Sequence, residues 1–535
     1  MQQLTMLDSM FGAMDTDVSN AILGGLMIFD PSPDGRTAPD EDFMRARIAE
    51  RAQYLPPLSR KVVKAPLGLG HDYLGVYDRL DVAAHLRTIT LPAPGTHEQL
   101  AQEVSRQMSA AKLPDDRPLW DYTIIKGLQG GSVAHMIRIH HLVIDGGSMG
   151  VLYDLLSDDP KGPMTTDVDP YPQPRFGQVE TLAREIVDTA RVPFTAARLT
   201  GGLAGWALDT VKRSGVVGLA VTPLRMIPGD FTKPLVRAVN SRLAEGGKVP
   251  AVSPWMPTMR APDMPFNGRM TSRRTYAFAD LPLEDFRRIG KLLGGTINDA
   301  VLGVTAGAVR RYLQDRHLPA DPPLVVNIPV SIRTGTEAAK WANYVFMIFA
   351  EYPTHLTDPV ARVRSASASV KRSRASFDAL PVTLLPDAGR LVHPMMLRAP
   401  FRILASAPDR LQKMHYNVVV SNVRGPSEPL YFDGVRLNGD WPASFLAGGG
   451  GINITLKSYL DKMCFGFMGC PEQTGDLSKL VEYMHEALAE TLEAAEAEGA
   501  KTGRPAVPTR KRLPRNRVAS GTRLTAVQPP SAQEG

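Results

Sequence analysis

A run of β-branched and apolar residues, Ser132-Val133-Ala134-His135-Met136-Ile137-Arg138-Ile139, leads into His140-His141-Leu142-Val143-Ile144-Asp145-Gly146, and Asp145-Gly146-Gly147-Ser148 breaks it. The run reads as a strand and the break as its end. Side chains alternate between the two faces of a strand. A strand that holds to its end therefore turns His140 and His141 to opposite sides, so that one imidazole can meet a substrate while the other packs or hydrogen-bonds. Neutral imidazole, with a reference pKa of about 6.5, can take a proton from an alcohol at physiological pH. Asp145 is placed to orient something. The competing reading is a pair of satisfied core histidines. No metal is expected, because adjacent histidines on opposite faces chelate poorly and no Cys or His cluster lies nearby.

At 535 residues the chain exceeds one hydrophobic core, and domain-size statistics give two or three domains. Only Cys464 and Cys470 are present, which argues for a reducing compartment and against a disulfide scaffold. The start, Met1-Gln2-Gln3-Leu4-Thr5, lacks a basic segment followed by an apolar one, and no apolar run reaches the ~18 residues of a membrane span. The expectation is a cytoplasmic protein, or one bound peripherally to the cytoplasmic face of a membrane. The net charge is +6, but eight basic residues from Lys501 onward face one acid there, so the remainder is close to neutral. That distribution removes the electrostatic case for nucleic acid. The proline-containing tail, 499–535, is expected to be disordered and either solvated or in contact with anionic lipid.

Along the chain, strands and helices alternate, which predicts α/β layers. The first domain, 1–178, opens with a helix around Leu4–Phe11, a strand over Asn20–Phe29, and a helix carrying Phe43, Arg47, Ile48 and Arg51. A further helix over Thr96–Leu113 is followed by the strand Asp121–Ile125, expected to pair beside the motif strand, and a helix over Val151–Leu156 should pack behind the histidines. Residues 179–262 read as a helical connector. Its apolar stretches, Leu199–Leu208 and Gly215–Leu224, suit either packing on the body or a membrane interface. A second domain, 263–498, brings a strand over Arg274–Phe278 and a helix over Leu283–Leu293 stopped by Gly294-Gly295. Another helix starts at Thr296 or Asn298 as N-cap. The apolar strand Leu324–Ile332 ends in Arg333, and a charge there needs a partner, for which Asp145 is the candidate. Gly448–Gly451 lack a following Gly-Lys-Ser/Thr and read as a tight turn rather than a phosphate cradle. The two cysteines lie in apolar sequence and should be buried and inert.

The pattern His140-His141-x-x-x-Asp145-Gly146 resembles the active-site motif of the CoA-dependent acyltransferase superfamily, which includes chloramphenicol acetyltransferase and peptide-synthetase condensation domains. Leu4-Thr5-x-x-Asp8-x-x-Phe11, Leu91-Pro92-Ala93-Pro94-Gly95, Pro118-Leu119-Trp120, Asn298-Asp299 and Ser421-Asn422-x-x-Gly425-Pro426 resemble the bacterial wax ester synthase/diacylglycerol acyltransferase family within it. Where that family more often shows Gly-Asn, this chain has Ala342-Asn343. The resemblance covers roughly 1–498 and implies two chloramphenicol-acetyltransferase-like domains sharing an active-site channel. Its implied reaction moves a long-chain acyl group from acyl-CoA to diacylglycerol or a long-chain alcohol, giving triacylglycerol or wax ester, without a cofactor and at a membrane or lipid-droplet surface. His141 would be the general base, supported by His140, Asp145 and Gly146. Pro118, Leu119, Trp120, Asn298, Asp299, Arg333, Ser421 and Asn422 would be structural or line the channel. The alternatives are a condensation or small-alcohol acyltransferase, or a non-catalytic lipid-surface protein. The intact His140, His141 and Asp145 speak against the last.

Overall fold

Two six-stranded sheets carry the fold in the computed structural model, which describes residues 2–66, 70–77, 80–109, 112–160, 187, 261–332, 341–378, 416–447 and 449–502. In the first sheet the spatial order is Tyr431–Phe432, Val435–Ala443, Ile22–Phe29, Val133–His140, Trp120–Lys126 and Leu86–Thr90. In the second it is Val345–Tyr352, Leu324–Ser331, Val418–Val423, Ile452–Tyr459, Lys462–Gly469 and Thr275–Pro282. A small third sheet joins Gln2–Gln3, Tyr73–Val76 and Arg60–Val63. Among the described residues this is the expected α/β architecture of two sheet-rich units, each with its own apolar core.

The motif strand, Val133–His140, is internal to its sheet. It pairs antiparallel with Ile22–Phe29 (Ile22 opposite His140) and with Trp120–Lys126 (Tyr122 opposite Ile137), as its neighbour in sequence was expected to. Every residue from Ala134 to His140 is buried, which accounts for a continuous apolar run rather than an alternating one. Two local signals act as read. Gly294 takes φ 71° and ends the helix Leu283–Leu293, and Thr296 caps Ile297–Asp315 in a capping box with Asp299. The glycine run is a turn in which Gly449, Gly450 and Gly451 all have positive φ; a Cβ on Gly451 would stand 2.6 Å from the Asn417 carbonyl oxygen.

Three features depart from the sequence reading. The division at 263 is crossed, because Tyr431–Phe432 and Val435–Ala443 from the second half lie in the first sheet. Val435, Leu437, Trp441 and Ala443 bury in the first core, and the strand covers Ile22–Phe29, which would otherwise be a sheet edge. The helix after the motif begins at Gly146 rather than Val151, since Asp145 caps it. The last helix, Ser478–Lys501, continues past Glu498, and Gly499 lies so close to Leu292 that a Cβ would approach its Cδ2 to 2.6 Å. Nearly all of the connector expected over 179–262, and the tail beyond Thr502, lie outside the described residues. Among the described residues no single helix is long and apolar enough to cross a membrane.

Across the two sheets runs a buried ion pair. Lys457 Nζ on Ile452–Tyr459 donates to Asp440 Oδ2 on Val435–Ala443 at 2.5 Å, with both side chains at most 6 % exposed. The ammonium group also sits 4.3 Å from the ring centroid of Tyr153, on the helix that follows the motif. Removing one member of such a pair strands the other charge, at a cost of ~3–5 kcal/mol, whereas replacing both by apolar groups is often neutral. Urea unfolding of Lys457→Met should show that loss, and Lys457→Met combined with Asp440→Leu should recover most of it. A single variant within 1 kcal/mol of wild type, roughly the value of an exposed pair, would contradict this account.

Candidate active site

His140 and His141 find different partners, as their opposite faces require. His140 Nδ1 accepts from the Leu142 amide at 3.0 Å, which leaves Nε2–H to donate to Asp15 Oδ2 at 2.9 Å. Asp15 also accepts from the Ala21 amide at 3.0 Å. Both ring nitrogens of His140 are thus engaged in holding the end of the motif strand.

His141 is bonded across the two halves. Its Nδ1 lies 2.7 Å from Asn343 Oδ1, and the Asn343 amide nitrogen donates to the His141 carbonyl at 2.6 Å. Phe11 stacks on the imidazole with centroids 3.8 Å apart and planes 10° from parallel. Phe445 meets it edge-on at 5.8 Å and 85°. Burial among these groups pushes the His141 pKa down to about 4, against the opposing pull of the Asp145 charge and the Asn343 bond. The imidazole is therefore neutral at pH 7 and its Nε2 carries a lone pair.

Asp145 holds the start of the next helix and the neighbouring loop. Its Oδ1 accepts from Ser148 N and Ser148 Oγ, each at 2.8 Å, capping the helix Gly146–Leu156. Its Oδ2 receives the Tyr344 amide at 3.3 Å. The expected partner Arg333 lies outside the described residues. Asp8 takes the preceding amide of the same loop: its Oδ1 accepts from Asn343 N at 2.9 Å and Asn343 Nδ2 at 2.8 Å. Asp8 Oδ2 meanwhile accepts from Thr5 N and Thr5 Oγ1 in the capping box of Met6–Ala13. Ala342, the departure from Gly, is accommodated as a buried residue.

The remaining candidates divide. Trp120 is structural: its Nε1 donates to the Leu58 carbonyl at 2.9 Å and its ring stacks on buried His85. Pro118 is buried, and the Leu119 carbonyl accepts from His140 N at 3.0 Å, so this triplet fixes the strand end. Asp299 commits its carboxylate to Thr296 at its own helix start, beside half-buried Asn298. Ser421 and Asn422 come nearer, because Val423 in the same strand packs against Gly146, with its Cγ2 3.3 Å from where a Cβ would stand. Asp15 and Phe445 escaped the sequence reading altogether. A carboxylate just past a helix end and a phenylalanine before a glycine run carry no signal until the strands are paired.

Two adjoining cavities flank the motif. One of about 540 Å³ is lined by Asp15, Leu119, His140 and Leu142, and one of about 470 Å³ by Met108, Arg274 and Phe445. Both include Asn20, Ile22 and Lys112, and their sizes are those of small-molecule sites, roughly 300–1,000 Å³. His140 and Leu142 of the motif line the first cavity, and Phe445, which meets the His141 ring edge-on, lines the second. A neutral imidazole bonded at Nδ1 suits the general-base class of acyl-transfer site.

Comparison with known proteins narrows the class. Residues 4–301 match the wax ester synthase/diacylglycerol acyltransferase catalytic domain, and residues 341–491 match the C-terminal domain of the same family. A putative diacylglycerol O-acyltransferase of Mycobacterium tuberculosis is 30% identical over 508 residues, covering 93% of this chain and 91% of the relative. The O-acyltransferase WSD of Acinetobacter baylyi is 28% identical over 491 residues, covering 91% and 96%. The fold is similar to that of the wax ester synthase/diacylglycerol acyltransferase from Marinobacter aquaeolei (TM-score 0.58, 23% identity, 92% of this chain and 100% of that one). It is also similar to the first condensation domain of the CDA synthetase (TM-score 0.50, 16% identity, 92% and 96%). The chain belongs to the wax ester synthase/diacylglycerol acyltransferase family. His141 comes from the part matched to the catalytic domain and Asn343 from the part matched to the C-terminal domain, so neither match alone contains the site.

The two histidines should separate in mutants: His141→Ala loses about 10² to 10⁴ in kcat, whereas His140→Ala loses less and mainly destabilises. Equal losses measured in steady-state assays would undo the assignment. Because a depressed pKa keeps the base neutral down to about pH 4, kcat/KM should stay level from pH 8 to about 5.5 and fall tenfold per unit only below about 4. An acid limb centred near 6.5, the value of free imidazole, would contradict burial of the base.

Proposed function

We propose that this chain transfers a long-chain acyl group directly from acyl-CoA to the hydroxyl of diacylglycerol or a long-chain alcohol. The single observation that carries the reading is the His141 Nδ1 to Asn343 Oδ1 bond, which leaves Nε2 as the proton acceptor in a buried site. His141 Nε2 takes the hydroxyl proton as the oxygen adds to the thioester carbonyl. The tetrahedral intermediate then expels the CoA sulfur, which leaves with the proton returned from Nε2. Family membership and the curated acyltransferase relatives support the donor and acceptor classes.

A covalent acyl-enzyme requires an activated hydroxyl or thiol within reach of the base. Ser148, the nearest serine after the motif, has its Oγ bonded to Asp145 at the helix cap. Cys464 is buried in a strand with its thiol pushed up to about 12, away from the thiolate range. The partners of these two groups support direct transfer in a ternary complex.

Attachment to the cytoplasmic membrane face or to lipid droplets belongs to the same proposal. Acceptors of this class reside in lipid, and the sequence supplies the apolar stretches Leu199–Leu208 and Gly215–Leu224 and eight basic residues from Lys501 onward. Clustered basic residues contribute about 1 kcal/mol each at an anionic surface.

Labelled acyl-CoA with dispersed diacylglycerol or fatty alcohol should yield labelled neutral lipid and one free thiol per ester. A marked preference for short soluble alcohols would overturn the lipid acceptor. Rapid quench without acceptor should show no burst of CoA, and a stoichiometric burst with label retained on denatured protein would overturn direct transfer. A chain ending after Thr502, so that Gly499 keeps its packing, should turn over dispersed substrates at wild-type rate and bind anionic vesicles less. A dead but folded truncation would show that the tail takes part in the reaction.

A further inference from the structure

We propose that Asp8 is a positioning residue for the catalytic base, acting through Asn343 to fix which nitrogen of His141 carries the proton. The proposal rests on the acyl-transfer reading for its consequence in rate, but its structural content does not depend on that reading.

The Asn343 amide can point either way unless its neighbours decide. Its Nδ2 faces two acceptors, Asp8 Oδ1 at 2.8 Å and the His141 carbonyl at 2.6 Å. A rotated amide would set its oxygen against both, and burial would leave those lone pairs without water. Oδ1 must therefore face His141 Nδ1, 2.7 Å away. An oxygen accepts only, so Nδ1 carries the hydrogen and Nε2 the lone pair. The opposite tautomer would place a lone pair against Oδ1 and hydrogen on the nitrogen that has to receive the substrate's proton.

Asp8 orders Asn343 together with the His141 carbonyl, and adds a second hold that the carbonyl does not supply. Its Oδ1 holds both the backbone and the side-chain nitrogen of Asn343, which fixes the side chain's rotation as well as its flip. Its Oδ2 is held by Thr5 N and Thr5 Oγ1, so all four contacts come from nitrogen or hydroxyl donors and suit a carboxylate. Burial holds the Asp8 pKa above its ordinary value, although the bonds from Thr5 and Asn343 pull it down. When His141 takes the proton, Nδ1–H stays on Asn343 and the positive ring is tied through one amide to a negative charge. In the Ser-His-Asp triad an Asp→Asn exchange directly behind the histidine drops kcat by about 10⁴ through the wrong tautomer. One amide further away the effect is smaller, and a loss of at least about tenfold is expected.

The test reads the tautomer itself, by nitrogen NMR of histidine-labelled full-length protein without substrates, with the His141 signal assigned by its disappearance in His141→Gln. Wild type should show His141 with hydrogen on Nδ1. Asp8→Asn should remain folded by circular dichroism, show the Nε2–H tautomer in a measurable fraction, and lose at least about tenfold in kcat with the KM for acyl-CoA within about threefold. Should Asp8→Asn fail to fold, Asn343→Ala carries the same test, because it leaves Asp8's bonds to Thr5 in place. A folded Asp8→Asn with unchanged tautomer and kcat would reduce Asp8 to a helix cap, and a wild-type His141 protonated on Nε2 would remove the lock altogether. If wild type shows Nδ1–H yet transfers no acyl group to lipid alcohols, the acyl-transfer reading fails and the positioning stands.

Discussion

The structure depends on one short loop of the second half being gripped by two carboxylates of the first. Asp8 takes the amide of Asn343 and Asp145 takes that of Tyr344. Each of these acids also closes the start of a helix, Asp8 as the partner of the N-cap Thr5 and Asp145 as the N-cap itself. The geometry of the base is thus tied to two capped helix starts. The two halves are held in register by more than this loop. The strand Val435–Ala443 crosses into the first sheet, and Lys457 reaches back to Asp440 on it. A site shared between halves needs such ties, since a misplacement of about 1 Å can cost about 10² in rate.

Burial of neutral imidazoles carries a stability consequence whose sign is definite. His141 is lowered to about 4 and His135 to about 3, both by burial in the first instance. Between those values and the unfolded value of about 6.5, the unfolded chain binds more protons than the folded one, so stability rises with pH across that window. The contribution is complete above about pH 6.5 and is lost progressively on acidification toward 4. The same burial that prepares the base therefore makes the fold sensitive to acid.

Much of this was legible in the sequence wherever a local rule decides. The strand ending at His140, the stop at Gly294 and the cap at Thr296 follow from periodicity and turn chemistry. His141 as base came from a motif and was given its partner only by folding. Asn343 and Asp8 were visible as parts of family-like patterns, but 335 positions separate them, and no spacing rule brings such residues together. Phe445 and the crossing strand were hidden for the same reason. A strand's own residues show that it is a strand, while its sheet is chosen by which edge needs covering. The helix after the motif was read five residues short because three glycines and a serine look like a loop until the capping carboxylate is counted.

A base lowered to about pKa 4 looks too weak for its task, since efficiency in proton transfer is greatest for a pKa near the working pH. Desolvation disfavours the charged ring whether or not substrate is present, whereas the Asp145 charge and the Asn343 bond favour it. As the hydroxyl proton moves to Nε2, negative charge appears on the tetrahedral oxygen beside the ring. In a dry site that attraction is far stronger than in water. The base thus gains strength when the transition state forms and remains weak toward stray protons before it. Phe11 and Phe445 serve the same end, because water admitted to His141 would be activated as readily as an alcohol and would hydrolyse the thioester. In the proposed mechanism Phe11 and Phe445 cover the imidazole and would favour transfer over hydrolysis, and the low basicity of His141 has the same origin in burial.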